Sequence, residues 1–149
     1  MPSNAPVVLL REHDGDRVLP IWIGAAEAAA IAMGLEGTRP SRPLTHDLLL
    51  DLVVAAGRTI SRIEIDSMVD HVFHATVTLD DGTEVSARPS DAIALALRAQ
   101  ATVFVAAEVM QEAGLLPEES DEAAPEIDME EFKAFLESVN PEDFQKPDA

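Results

Sequence analysis

Residues 7–12 and 17–23 are apolar, β-rich runs separated by His13-Asp14-Gly15-Asp16. Asp-Gly between two such runs is a strong local signal for a β-hairpin. A two-residue turn at Asp14-Gly15 sets Leu10 opposite Leu19 and Glu12 opposite Arg17, so apolar and charged pairings agree. Pro20 has no N–H to donate and belongs at an edge or an irregularity. Gly24 then opens a helix to about residue 37, with Glu27 three residues in, the spacing of a capping box with glycine at the cap. Its alanines, with Ile31, Met33 and Leu35, suit close packing. Residues 38–43 form a proline-punctuated loop that carries Arg39 and Arg42.

Thr45 reads as the cap of a second helix, stopped by Gly57. Leu44, Leu48, Leu49, Leu52, Val53 and Ala56 recur along it at helical spacing and make one apolar stripe. Residues 59–69 alternate instead, Ile63 and Ile65 against Arg62, Glu64 and Asp66. Residues 72–79 alternate too, with Phe73, Ala75, Val77 and Leu79 on one face. A three-residue loop Asp80-Asp81-Gly82, with Gly82 left-handed, pairs Val77 with Val85 and Ala75 with Ala87. A two-residue loop would set Val77 against Ser86 and mix the faces, so the first register is expected. It places Thr76 opposite Ser86, Thr78 opposite Glu84 and His74 opposite Arg88.

Pro89 or Ser90 starts a third helix that is apolar on nearly all sides to residue 99, and such a helix is buried on nearly all sides. Residues 102–105 read as a short interior strand, and residues 106–113 as a helix stopped by Gly114. Together these elements predict an α+β domain over residues 1–116: an antiparallel or mixed β-sheet with hairpins, packed by several short helices. Residues 117–128 are acidic and proline-bearing, the composition of a linker. In residues 129–149, Met129, Phe132, Phe135, Leu136 and Val139 share a helical face. The expectation is a C-terminal amphipathic helix that docks on its own domain or on a partner protein.

Composition narrows the function. Apolar residues are 47% of the 149, enough for a real core, and there is no cysteine. A disulfide framework, a thiolate metal site and a cysteine nucleophile are therefore excluded. The opening Met1-Pro2-Ser3-Asn4-Ala5-Pro6 lacks the basic flank and apolar run of a signal peptide, and no stretch approaches the roughly 18–20 apolar residues of a membrane span. A cytoplasmic location without membrane contact is expected. Residues 1–116 hold 8 Arg against 16 Asp and Glu, and residues 117–149 hold 2 Lys against 12 acids, for a net charge of −18. This is not the basic footprint of a typical nucleic-acid binder.

Four clusters could carry chemistry. Ser90 and Asp91 lead the buried helix; serine there caps free amides and aspartate complements the helix dipole. The same geometry also makes an anion site, with Arg88 beside it to clamp a phosphate and Asp91 to hold Mg²⁺ or Mn²⁺. His46 and Asp47 fall in the first turn of the second helix. Capping explains Asp47 there, while a functional reading makes His46 a proton shuttle and Asp47 its orienter or a metal ligand. Glu27 is a capping-box residue or a further acidic ligand. Arg39 and Arg42 are solvated loop charges or phosphate contacts.

These segments combine into a resemblance. Pro20-Ile21-Trp22-Ile23-Gly24 followed by Glu27-Ala28, then Arg42-Pro43-Leu44-Thr45-His46-Asp47-Leu48, then Val85 to Ala96 through Ser86-Ala87-Arg88-Pro89-Ser90-Asp91, resemble the bifunctional nuclease (BFN) domain family of bacteria and plants. Phe132-Lys133-Ala134-Phe135-Leu136 and Pro141-Glu142-Asp143-Phe144 resemble the tail of its actinobacterial-type members. The resemblance implies an α+β domain with RNase and DNase activity, often assembled as a homo-oligomer. It also implies a strand ahead of residue 7 that this sequence does not supply, leaving a sheet edge open to self-association. The leading expectation is a metal-assisted phosphodiesterase. Asp91 and Asp47, with Glu27, hold Mg²⁺ or Mn²⁺; Arg88 stabilises developing charge, His46 moves a proton, and Arg39, Arg42, Arg88 and Ser90 contact substrate. No organic cofactor is expected, and binding to nucleic acid is expected to be weak and salt-dependent. The alternatives are a non-catalytic oligomeric assembly or regulatory module that recruits partners through the acidic tail helix, and an anion or nucleotide sensor built on Arg88 and Ser90.

Overall fold

A computed structural model describes residues 4–117. The expected linker and amphipathic tail helix therefore lie outside the described residues. Along the chain run β1 (Val7–Arg11), β2 (Val18–Trp22), α1 (Ala25–Glu36), α2 (Thr45–Ala55), β3 (Ile60–Val69), β4 (Val72–Leu79), β5 (Glu84–Ala87), α3 (Pro89–Ala99), β6 (Val103–Val105) and α4 (Ala107–Ala113). The strands form a two-stranded sheet β1-β2 and a four-stranded sheet in the order β5-β4-β3-β6. β6 pairs parallel to β3 at the sheet's edge, so it is not the interior strand its apolar sequence suggested.

The first hairpin has the expected register, Leu10 opposite Leu19, and the Glu12 N–H meets the Arg17 carbonyl at 3.0 Å. Its turn differs: a four-residue loop, 13–16, replaces the two-residue turn, and the Glu12 carboxylate folds over it to accept the Arg17 N–H at 3.1 Å. Val18 also exchanges two backbone hydrogen bonds with Leu115, tying the domain's end to β2. In the second hairpin Asp70 and His71 both take left-handed conformations, φ 50° and 63°, the demand of a two-residue turn that follows strand twist. In the third, Gly82 is left-handed at φ 84° and Val77 faces Val85, Ala75 faces Ala87 and Thr76 faces Ser86, as the loop chemistry predicts.

The core lies between the four-stranded sheet and α3. Ile63 and Ile65 from β3 and Ala75 and Val77 from β4 meet Ala92, Leu95 and Ala96 of α3, with Leu19 and Ile21 from β2 closing one side. Seven residues of α3, from Pro89 to Ala96, are buried, so its all-round apolar sequence does bury it. Across α3, Ile93 and Ala94 pack on Ile31 of α1. Gly34 permits that approach, because a Cβ there would stand 3.0 Å from the Leu97 Cβ.

α2 overturns the simplest expectation. None of its residues is buried, and Leu48, Leu49 and Leu52 of the apolar stripe face outward, as does Leu44 ahead of it. Leu50 packs on the core in their place. Its neighbours on that side are His46 and Asp47, which bond to α3. The helix presents Leu50 with its polar contacts to α3, and not the leucines of its apolar stripe.

Candidate active site

α3 begins without a side-chain cap. Arg88 is the N-cap residue in extended conformation, and Pro89 supplies the pre-set φ and missing N–H that suit the first helical position. Ser90 is buried behind it and makes no cap bond, contrary to the capping expectation. Because β5 stops at Ala87, Arg88 leaves the sheet before it can pair with His74, which lies opposite Ser67 of β3 instead. The Arg88 side chain is free to turn toward Asp91, one helical turn on.

There it makes a two-pronged contact. Arg88 Nε donates to Asp91 Oδ2 at 2.7 Å, and Nη2 donates to Oδ1 at 3.2 Å. Nη1 reaches Glu27 Oε1 of α1 at 3.2 Å. Glu27 is thus an ion-pair partner, and α1 starts at Gly24 with no side-chain cap bond, so the capping box is not formed. On the other side of Asp91, His46 Nε2 lies 3.0 Å from Oδ1. A continuous chain His46–Asp91–Arg88–Glu27 therefore joins α2, α3 and α1. The Arg88 hydrogen bonds hold the Asp91 carboxyl below its ordinary value of 3.8; burial opposes this and the His46 bond adds to it. Asp91 is an anion at neutral pH, and the same contacts push Arg88 upward. Side-chain exposure rises from 14% at His46 through 32% at Asp91 to 66% at Arg88 and falls to 22% at Glu27, so Arg88 is the member of the chain open to solvent.

Asp47 is not part of this chain. Consecutive helical residues diverge by about 100°, and Asp47 points to Arg98, two turns beyond Asp91 and roughly 10 Å along α3. Asp47 Oδ1 accepts from Arg98 Nε at 2.8 Å, and Oδ2 accepts the Leu44 N–H at 3.0 Å. Leu44 is therefore the N-cap of α2, with Thr45 already inside the helix. The Leu44 N–H is the main reason the Asp47 carboxyl titrates below 3.8; burial opposes and Arg98 reinforces it. Arg98 also donates to the carbonyls of Ala94 and Ala30, at 2.8 and 3.1 Å, so one guanidinium knits three helices.

The expected metal ligands thus fall into two groups. Arg88 occupies both Asp91 and Glu27, Arg98 occupies Asp47, and no three His, Asp or Glu side chains among the described residues converge as a metal-binding group. The donor set Asp91, Asp47 and Glu27 does not fit one ion in this arrangement. Arg39 lies in the exposed 38–43 loop, on the rim of a separate cleft that it shares with Asp47 and Arg98, and Arg42 is exposed nearby.

Glu27, Arg88 and Ser90 instead line a cleft of about 530 Å³ with Trp22, His71 and Phe73. In the sequence Trp22 belongs to a motif and Phe73 to an apolar strand face, and neither they nor His71 are expected at a site. A signal existed for Arg98, since a cation seven residues after Asp91 in a helix otherwise apolar must share its face.

A helix start that presents a paired histidine and arginine beside a cleft is a site class suited to anionic substrates. The chain matches the bifunctional nuclease domain model over residues 8–118, and it belongs to that family. Two proteins of Mycobacterium tuberculosis are similar to it: Uncharacterized protein MT1877 of strain CDC 1551 / Oshkosh and Uncharacterized protein Rv1829 of strain ATCC 25618 / H37Rv. Each is 50% identical over 149 residues, covering 97% of this chain and 91% of the relative. Among the described residues no helix is long and apolar enough to cross a membrane.

Proposed function

We propose that this chain is a nuclease that cleaves phosphodiester bonds of RNA or DNA at the His46–Asp91–Arg88–Glu27 chain. One observation carries the reading: residues from three separate sequence motifs meet there, His46 and Arg88 hydrogen-bonded to Asp91 and Glu27 ion-paired to Arg88. In the tautomer whose Nε2–H donates to Asp91, His46 keeps Nδ1 to take a proton from the attacking hydroxyl, whether water or a sugar 2′-OH. Asp91, held ionised, orients the imidazole and stabilises the imidazolium that forms, the role of the acid in a His–Asp pair. Arg88, largely exposed and fixed by Glu27, meets the charge that develops on the phosphate as the nucleophile's oxygen bonds to phosphorus and the P–O bond to the leaving oxygen breaks; the His46 imidazolium then returns its proton to that leaving oxygen. Digestion of RNA and single-stranded DNA in Mg²⁺, Mn²⁺ or EDTA tests the activity and any requirement for an ion together. His46→Ala and Asp91→Asn are expected to lower kcat about 100-fold or more. Unchanged turnover in both variants rejects this site.

A second reading, a non-catalytic assembly module, draws on the outward leucines of α2, which offer a surface to a second copy of the chain. Light scattering on the wild type and on Leu48→Glu/Leu52→Glu separates the two. A stable oligomer that the charges dissolve, with no cleavage under any ion condition, selects the module.

A further inference from the structure

We infer that the cleft beside Arg88 holds an unpaired nucleobase stacked on Trp22, so that single-stranded nucleic acid is the substrate class. This deepens the nuclease reading and rests on it for the identity of the polymer. Three elements make the cleft: the end of β2 with the start of α1, the β3–β4 turn, and the start of α3. Its volume, about 530 Å³, lies within the range of sites for small ligands, roughly 300–1,000 Å³. Most of its wall is apolar, from Ile21, Trp22, Ile23 and Phe73, with Arg88 and Glu27 as its charged groups.

Trp22 is the sole tryptophan of the chain, yet it is 55% exposed while Val18, Leu19 and Ile21 of the same strand are buried. Other apolar side chains are as exposed, Leu52 and Val72 among them, but Trp22 is the one that pairs a large aromatic ring with a cleft that Arg88 also lines. An indole and a guanidinium lining one cleft match the two halves of a nucleotide: a base that stacks and a phosphate that takes charge-assisted hydrogen bonds. In a duplex the base faces are already covered by their neighbours, so only an unpaired strand can supply one. Because every base has a π-face, the contact selects strandedness and tolerates sequence.

The unique tryptophan is also the reporter. The full chain is titrated with short single-stranded DNA carrying a cleavage-resistant phosphorothioate backbone, with the matched duplex, and with an abasic strand of equal length. Trp22 fluorescence is expected to be quenched by the single strand, with about tenfold or more weaker binding of the duplex and the abasic strand. Anisotropy of a labelled strand then reads the variants: Trp22→Ala weakens binding about tenfold, and Trp22→Phe retains most of it. Absent quenching, equal affinity for the abasic strand, or unchanged affinity in Trp22→Ala overturns the inference. So does a Trp22→Ala chain that changes its oligomeric state while binding as before, which makes Trp22 an interface residue. Cleavage without quenching rejects the stack and leaves the nuclease reading in place; quenching without cleavage in any ion condition upholds the stack and rejects the nuclease reading.

Discussion

Replacing Arg98 by methionine keeps most of the stem's volume and removes the charge that ties α1, α2 and α3. The side chain is only 8% exposed and makes three hydrogen bonds, one of them to the Asp47 carboxylate. A hydrogen bond to a charged group contributes about 1.5–3 kcal/mol, and breaking a fully buried ion pair costs about 3–5 kcal/mol. Asp47 keeps the Leu44 N–H and some solvent, so the lower part of the range applies, about 2–3 kcal/mol. For a domain of this size that is a fall in Tm of roughly 6–15 °C. Urea unfolding at pH 7 should show a lower midpoint with an unchanged slope. A double-mutant cycle with Asp47→Asn should give a coupling of about 1 kcal/mol or more. The pH dependence has a definite sign. Asp47 titrates below 3.8 in the folded chain, so its contribution is present above that value and is lost as pH falls through the folded one. The gap between wild type and Arg98→Met should therefore narrow in acid, though only in part, because Leu44 is the larger cause of the shift. A variant within about 0.5 kcal/mol of wild type at pH 7, or a cycle with no coupling, refutes the clamp.

Other outcomes are expected from the same contacts. Arg88→Lys keeps the charge but cannot grip Asp91 with two prongs while reaching Glu27, so kcat/KM on RNA should fall about tenfold or more, with unfolding changed by less than about 1 kcal/mol because the residue is exposed. Gly82→Ala forces a side chain onto φ 84° and should cost about 1–2 kcal/mol in urea unfolding, whereas a silent substitution would contradict the left-handed loop. The log–log slope of single-strand affinity against salt should differ by roughly one between wild type and Arg88→Gln, the share of one phosphate contact; an unchanged slope would remove Arg88 from the substrate.

Much of the fold was legible because its signals are local. Asp80-Asp81-Gly82 fixes a loop length, the loop fixes a register, and the register assigns Val77 and Val85 to one face. α3 declares its burial through Ala92 to Ala96. The orientation of α2 was not legible for the opposite reason. Its leucines form the strongest apolar pattern in the chain, yet the side that packs is the one that meets Asp91 and Arg98, which lie about 45 and 51 positions away in sequence. The same distance hid the split of the site. His46 and Asp47 are neighbours in a motif, and only the crossing of two helices shows that they serve different partners. Trp22 was seen as part of a motif, but an apolar strand residue gives no local sign that it will be left in solvent.

One rod carries both arrangements. Asp91 and Arg98 sit two turns apart on a helix buried on nearly all sides, so the residue proposed to orient His46 and the residue that knits the scaffold cannot be displaced independently. The amides of α3 should be among the last to exchange with solvent, opening only with the whole domain. It follows that partial melting offers no route to an inactive but folded form: on heating, catalytic power and structure should vanish in a single transition. Evolution could then retune the cleft's rim freely, while the helix beneath it admits little change without the loss of everything at once.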